Sequence, residues 1–120
     1  MTRLVEVALF TPDVARTTAF YEELLGVEPT SRSKSHASFD LGGTTLFIHV
    51  ASTDESHGAP NRDHVAFGVA DPDAVAERFR SSGVDVVGPQ EFYWGRSAYL
   101  DDPDGRAVEL QSAETPKAAT

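Results

Sequence analysis

The 120-residue sequence has no cysteine, one methionine, one tryptophan and only two lysines, Lys34 and Lys117. The absence of cysteine excludes disulfide bonds, thiolate metal ligands and a cysteine nucleophile. No apolar run approaches the length that a membrane-spanning helix needs, and the N-terminus does not have the pattern of a signal peptide. We therefore expect a soluble, cytoplasmic protein.

Basic side chains are also scarce, because 10 Lys and Arg residues stand against 19 Asp and Glu residues, giving a net charge of −9. Nucleic acids and anionic membranes are bound by basic patches, so neither is expected as a partner. The chain has the length of one domain that can bury a hydrophobic core.

An internal repeat divides the chain into two halves. The first copy, EVALFTPDVARTTAFYEELLGVEP at residues 6–29, returns as HVAFGVADPDAVAERFRSSGVDVVGP at residues 64–89. Glu6 aligns with His64, and each copy has an Asp near the start of a helical pattern and a Gly at its end. A repeat on this scale indicates two structural units built on one plan.

The apolar periodicity predicts the order strand, helix, strand, strand, strand in each half. Strands are predicted at residues 3–10, 27–30, 36–41, 44–51, 63–69, 84–87, 96–101 and 106–112, and helices at 13–25 and 72–83. The fold class is therefore α+β, with one domain over residues 1–112 made of two βαβββ modules, 1–51 and 63–112. Residues 31–35, 52–62 and 89–95 are predicted to be loops, and residues 113–120 a disordered tail.

Four positions are equivalent between the halves and face inward if the two sheets curl around a pseudo-twofold axis. The first strands contribute Glu6 and His64, and the last strands contribute Phe47 and Glu109, each four residues after a turn glycine. Glu, His and Glu are metal-ligating side chains. The repeat therefore predicts a metal site in the cleft between the modules.

The chain resembles the vicinal oxygen chelate superfamily, which includes glyoxalase I, extradiol dioxygenases, fosfomycin-modifying transferases and bleomycin-resistance proteins. The resemblance is carried by VALFTPDVARTTAFYEELLG, DHVAFGVADPD and GRSAYLDDPDGRAVEL, which cover nearly the whole chain, and the last stretch is the most specific. It implies two βαβββ modules around a cleft, a small-molecule substrate and a homodimer.

The resemblance also implies a set of metal ligands. The first-strand ligand of the family, usually His or Gln, falls on Glu6, the His of the second half on His64, and the final-strand Glu on Glu109. The fourth glyoxalase-type ligand falls on Phe47, which cannot bind a metal. The pattern is thus similar to the three-ligand layout of extradiol dioxygenases and fosfomycin transferases, except that Glu6 replaces their first His. One imidazole and two carboxylates suit Mn²⁺, Fe²⁺, Zn²⁺ or Ni²⁺ and leave positions open for a chelating substrate.

Five further residues are candidates for the same cleft. His49 is interpreted as a general base, a displaced fourth ligand or a residue of the cleft wall. Tyr99 is a candidate proton donor, and Phe47 and Trp94 would line a site for a planar ligand. Arg96 would either clamp a substrate carboxylate or phosphate, or form a surface salt bridge.

Two functions are consistent with these residues. The first is a metal-dependent lyase, isomerase or dioxygenase with Glu6, His64 and Glu109 as ligands and with Glu109, His49 and Tyr99 as the candidate catalytic residues. The alternative is a metal-free protein of the bleomycin-resistance type that sequesters a planar or antibiotic-like ligand. The sequence leaves open whether Glu6 is a ligand or pairs with a protonated His64, and whether one chain or a dimer completes the cleft.

Overall fold

The computed structural model describes residues 2–51 and 62–112. Its elements, in chain order, are β1 (Arg3–Thr11), α1 (Val14–Leu25), β2 (Ser31–Arg32), β3 (His36–Asp40), β4 (Thr45–Val50), β5 (His64–Val69), α2 (Pro72–Ser81), β6 (Val87–Phe92), β7 (Gly95–Asp101) and β8 (Ala107–Ser112). The predicted tail and nearly all of the predicted loop at 52–62 lie outside the described residues. Among the described residues, no helix is long and apolar enough to cross a membrane.

The strands form one mixed sheet in the order β2-β3-β4-β1-β5-β8-β7-β6. Within each module the first strand pairs in parallel with the last, β1 with β4 and β5 with β8. The modules meet where β1 and β5 pair antiparallel. The predicted α+β fold with two βαβββ units is confirmed, and the strand order is the same in both directions from the centre of the sheet.

Both helices pack on one face of this sheet, one helix over each module. Alternate strand residues supply the apolar surface beneath them, because successive side chains of a strand point to opposite faces. The buried core under α1 comprises Val14, Ala37, Phe39, Leu46 and Ile48. The core under α2 comprises Val69, Ala76, Ala98 and Leu110. The opposite face of the sheet carries the polar and aromatic residues considered below.

The two helices begin at the predicted aspartates. The side chain of Asp13 accepts a hydrogen bond from the Arg16 backbone N–H at 3.1 Å, and Asp71 caps α2 through the Ala74 N–H, also at 3.1 Å. These carboxylates satisfy N–H groups that have no partner within the helix. Helix α1 ends at Gly26, whose φ of +72° is readily adopted only by glycine.

The second strand of each module was misplaced by the sequence pattern. The structure has β2 at Ser31–Arg32 instead of residues 27–30, and β6 at Val87–Phe92 instead of residues 84–87. Much of the predicted aromatic loop at 89–95 is therefore strand. Both are edge strands whose position is set by the neighbouring strand, as in the pairing of Phe92 with Gly95 across a two-residue turn. Local apolar patterning carries little information about such pairing.

Gly88 lies where the backbone of β6 comes close to the backbone of β7, the strand that carries Ser97 and Tyr99. Its φ is +87°, and an added Cβ would lie 3.0 Å from the Ser97 carbonyl oxygen. Gly42 has a similar φ of +76° but nothing within 4 Å of an added Cβ.

We expect Gly42→Ala to lower the free energy of unfolding by about 1–2 kcal/mol through backbone strain. Gly88→Ala should lower the free energy of unfolding by about 1–3 kcal/mol more than Gly42→Ala, because the new methyl group would also be overpacked against β7. Equal losses of unfolding free energy in the two variants, measured by urea unfolding, would contradict this close approach.

Candidate metal centre

The three predicted metal ligands lie together on the face of the sheet opposite the helices. One ligand atom each from Glu6, His64 and Glu109 can be chosen so that all three lie within 4.8 Å of one another. All three residues are buried, with exposed fractions of 3%, 9% and 0% respectively. The cluster is formed within a single chain, so no second subunit is needed to supply these side chains.

Strand register explains why these three side chains meet. Ala66 of β5 pairs with Glu6 of β1 on one side and with Glu109 of β8 on the other. His64 lies two residues away on the same strand and therefore on the same face. Ala66 is fully buried, and its small side chain leaves room for the two carboxylates above it.

His64 is held in one orientation by the backbone. Its Nδ1 lies 2.8 Å from the Arg62 carbonyl oxygen, which can only accept, so Nδ1 carries a proton. Nε2 then faces the cluster and lies 3.2 Å from Oε1 of Glu109. Such a hydrogen bond from the second ring nitrogen to a carbonyl is the usual way in which a metal-ligating histidine is oriented.

Arg62, which provides that carbonyl, is tied to the turn between β7 and β8. Its guanidinium donates to the Gly105 carbonyl at 2.9 Å and to the Asp101 carboxylate at 2.5 Å. The turn itself is organised by Asp102, whose carboxylate accepts from the backbone N–H of Arg106 at 2.8 Å; this hydrogen bond lowers the pKa of Asp102. The DDPDG motif therefore contributes to the orientation of His64 through Arg62.

Glu109 is held by a chain of hydrogen bonds from β7. The Ser97 hydroxyl donates to Oε2 of Glu109 at 2.9 Å, and it accepts from the indole N–H of Trp94 at 2.8 Å. The Tyr99 phenol is a further hydrogen-bond partner of Glu109. Burial, together with the charge of Glu109, raises the pKa of Tyr99, so the phenol stays protonated at neutral pH.

The chemistry of the donor set fits a divalent cation. Two carboxylates buried side by side repel each other and lose hydration, so their charged forms need compensating positive charge. A metal ion supplies that charge, and a mixture of one imidazole nitrogen and two carboxylate oxygens is a common environment for Mn²⁺, Fe²⁺, Zn²⁺ or Ni²⁺. Glu6, His64 and Glu109 would hold the ion.

Aromatic rings form a continuous strip across the same face. Neighbouring ring centroids along it are 4.4–6.4 Å apart. The strip consists, in order, of His36, Phe47, His49, Phe10, His64, Tyr99, Phe92 and Trp94. The predicted cleft residues Phe47, His49, Tyr99 and Trp94 thus lie on the same face as the metal cluster.

Arg96 is not brought to the cluster. Its guanidinium contacts both carboxylate oxygens of Asp73, at 2.7 and 2.8 Å, and Glu91 at 3.1 Å. Asp73 belongs to α2, so Arg96 lies on the helix face of the sheet. The hydrogen bonds lower the pKa of Asp73 and raise that of Arg96. The geometry is that of the surface salt bridge considered as the alternative to a substrate clamp.

Three contributors to the site were not found by sequence reasoning: Ser97, the Arg62 carbonyl and Gln111. Gln111 is 2% exposed, lies two residues beyond Glu109 on the same face, and its Nε2 has no hydrogen-bond partner within the described part of the chain. Aligning the repeat would have marked it, since Gln111 is the counterpart of His49. The contacts of Ser97 and Arg62 depend on tertiary pairing that no local pattern reveals.

Comparison with known families agrees with this geometry. The sequence profile of the Glyoxalase/Bleomycin resistance protein/Dioxygenase superfamily matches residues 3–110. The chain belongs to this superfamily. The resemblance proposed from the sequence is therefore confirmed.

Solved structures share the fold over nearly their whole length. A variant of Streptomyces coelicolor methylmalonyl-CoA epimerase in complex with 2-nitronate-propionyl-CoA is 25% identical, with a TM-score of 0.65 over 94% of this chain and 98% of that one. A superfamily member from Vibrio splendidus is 15% identical, with a TM-score of 0.67 over 93% and 99%. NAD-dependent benzaldehyde dehydrogenase from Legionella pneumophila is 18% identical, with a TM-score of 0.69 over 89% and 96%. At 15% and 18% identity, the similarity to the latter two structures establishes the fold alone.

Ser97→Ala tests the hydrogen bonds that orient Glu109. Removing the hydroxyl should weaken divalent-metal affinity about 10–100-fold, because partners of metal ligands contribute on this scale. It also removes the hydrogen-bond acceptor of the Trp94 indole, so the emission spectrum should shift. Affinity is measured by competition with a chelating dye.

The matched control is Ser38→Ala, which changes a buried serine of β3 and should leave metal affinity unchanged. Equal metal affinities of the wild type and Ser97→Ala would contradict the role of Ser97.

Proposed function

We propose that the protein is a metal-dependent enzyme of the lyase, isomerase or dioxygenase type that acts on a small, oxygen-chelating substrate. The observation that carries this proposal is the buried convergence of Glu6, His64 and Glu109 within 4.8 Å. Membership of the superfamily supports it, since a substrate that chelates a metal through two oxygens is common to several of its enzyme classes.

The three side chains would hold Mn²⁺, Fe²⁺, Zn²⁺ or Ni²⁺ and leave coordination positions for two substrate oxygens. When bound, such an ion supplies Lewis-acid polarisation of the substrate oxygens and fixes their orientation. The protein contributes an oriented ligand set, because His64 is held by the Arg62 carbonyl and Glu109 by Ser97. Apolar walls at Phe47 and Trp94 exclude water from the bound substrate.

His49 is the proposed general base. Its Nδ1 lies 2.9 Å from the Val50 carbonyl oxygen, so Nδ1 donates and Nε2 of the neutral ring carries the lone pair. The ring stands in the strip between Phe47 and Phe10, with centroid distances of 5.6 and 5.5 Å. Tyr99 is the proposed proton donor, because its phenol contacts Glu109 and its ring centroid lies 6.4 Å from that of His64.

The proposed enzyme is a cytoplasmic homodimer that binds neither nucleic acid nor membranes. Its net charge of −9 supports the proposal that it binds neither nucleic acids nor membranes, because nucleic acids and anionic membrane surfaces would both repel it. The metal cluster is complete within one chain. A dimer would therefore enclose or cover the cleft without supplying a ligand.

Metal content is the primary test. Protein purified without chelators or a histidine tag, or incubated with Mn²⁺, Fe²⁺, Ni²⁺ or Zn²⁺, should contain about one equivalent of metal by elemental analysis. Glu109→Ala should lose it, because it removes one of the three ligands. The matched control Glu77→Ala, on the exposed surface of α2, should retain it. Native protein that binds none of the four metals would exclude the enzyme proposal.

The second candidate function is metal-free binding of a planar or antibiotic-like ligand. The strip of stacked rings favours it, because aromatic walls hold flat molecules independently of any metal. The observation that separates the two is quenching of Trp94 emission. Planar ligands that quench Trp94 equally in wild type and Glu109→Ala would support the binding function, whereas quenching lost with the metal would support the enzyme.

The role of His49 is tested by His49→Asn once vicinal diols, catechols and 2-oxoaldehyde hemithioacetals have been screened with metal-loaded protein. Loss of the base should lower kcat about 10²–10⁴-fold while metal content stays the same. His36→Asn, at the end of the strip, serves as the control. An unchanged kcat, or loss of metal from His49→Asn, would contradict the assignment.

A further inference from the structure

A cavity lies on the helix side of module 1, between α1 and the chain that joins β2 to β3. It is an open groove of about 470 Å³. Its residues come from the first half of α1, the turn at 32–34 and the adjacent ends of β3 and β4. The side chains that matter for binding are Thr18, Arg32 and Lys34.

At this groove, module 1 lacks an ion pair that module 2 has. The strand pairings identify equivalent residues in the two modules. His36 pairs with His49 in module 1, and Ser97 pairs with Gln111 in module 2, so His36 corresponds to Ser97. The preceding residue Ser35 therefore corresponds to Arg96. The helix caps make Ala15 the counterpart of Asp73. In module 2, Arg96 and Asp73 join α2 to β7 by two hydrogen bonds of 2.7 and 2.8 Å. Two small residues stand at these positions in module 1, and the space between helix and strand stays open.

A buried hydroxyl faces this space. Thr18 is 4% exposed, and its Oγ1 has no hydrogen-bond partner among residues 2–51 and 62–112. Its counterpart in α2 is Ala76, which is fully buried. The scaffold therefore accepts an alanine here, and a buried polar atom without a partner is destabilising unless something binds it.

The available charge in the groove is positive. Lys34 makes no ion pair within the described residues, and Arg32 contributes a guanidinium of which one nitrogen lies 3.1 Å from Glu22. The two acids of the groove are already engaged, Glu22 by Arg32 and Asp13 as the cap of α1. The groups that remain for a ligand are therefore cations and hydrogen-bond donors, at the positive end of a helix dipole.

We propose that this groove binds an oxyanion, the carboxylate or phosphate group of a small molecule. Lys34 and Arg32 neutralise its charge, and the Thr18 hydroxyl donates to one of its oxygens. The groove lies on the helix face of the sheet, whereas the metal cluster and the aromatic strip lie on the opposite face.

The test uses metal-free, chelator-treated full-length protein, with inorganic phosphate and acetate as probes. Amide shifts of Ala15, Thr18 and Lys34 in ¹H–¹⁵N spectra should saturate with at least one probe, and the better probe identifies the anion class. Lys34→Gln and Thr18→Val should each weaken binding about 10-fold or more, since each removes a hydrogen bond to a charged group. Arg78→Gln, an exposed cation of α2, is the control and should not.

The double variant Ala15→Asp/Ser35→Arg installs the ion pair of module 2 in module 1. It should close the groove and abolish the saturable shifts while the protein stays folded, which the spectrum itself reports. Glu109→Ala should bind the probe as the wild type does, so failure of the metal proposal would leave this result intact. The absence of saturable shifts with both probes would overturn the proposal. Saturable amide shifts that stay unchanged in both Lys34→Gln and the double variant would also overturn it.

Discussion

The antiparallel pairing of β1 with β5 is the constraint on which the rest of the molecule depends. It joins the two modules into one sheet and sets Glu6 opposite Ala66 and His64 opposite Ala8. A shift of one residue in this register would turn every side chain of one strand to the other face. Glu6 would then lie beneath a helix, and the cluster could not form. The position of the site is therefore fixed by backbone hydrogen bonds between strands distant in sequence.

Given that pairing, the two copies of the repeat have taken different roles. The second half of the chain provides two of the three candidate metal ligands, His64 and Glu109, and the residues that orient them, Arg62 and Ser97. Module 1 provides one carboxylate, Glu6, together with the ring of Phe47 and the open groove beside α1. The backbone plan is the same in both copies, so the difference in function resides in side chains at equivalent positions.

Much of this could be predicted from the sequence because the repeat converts local patterns into spatial ones. Once Glu6 aligns with His64, strand alternation and the pseudo-twofold axis bring Glu109 beside them. The failures have a common cause. The edge strand β6 and the contacts of Ser97 and Arg96 depend on neighbours that come from other parts of the chain. Arg96 in particular was considered for the cleft, but it alternates with Ser97 along β7 and therefore faces the helix side of the sheet.

The comparison of Glu109 with its counterpart Phe47 shows that the charge is not a requirement of the fold. The same position on the equivalent strand of module 1 is occupied by an apolar ring packed among other rings. A sequence shaped by stability alone would favour that solution, because a fully buried carboxylate beside a second carboxylate is costly to desolvate. Yet Glu109 is fully buried and held by Ser97 and Tyr99. Residues that oppose folding while their neighbours position them accurately are typical of a site shaped by function.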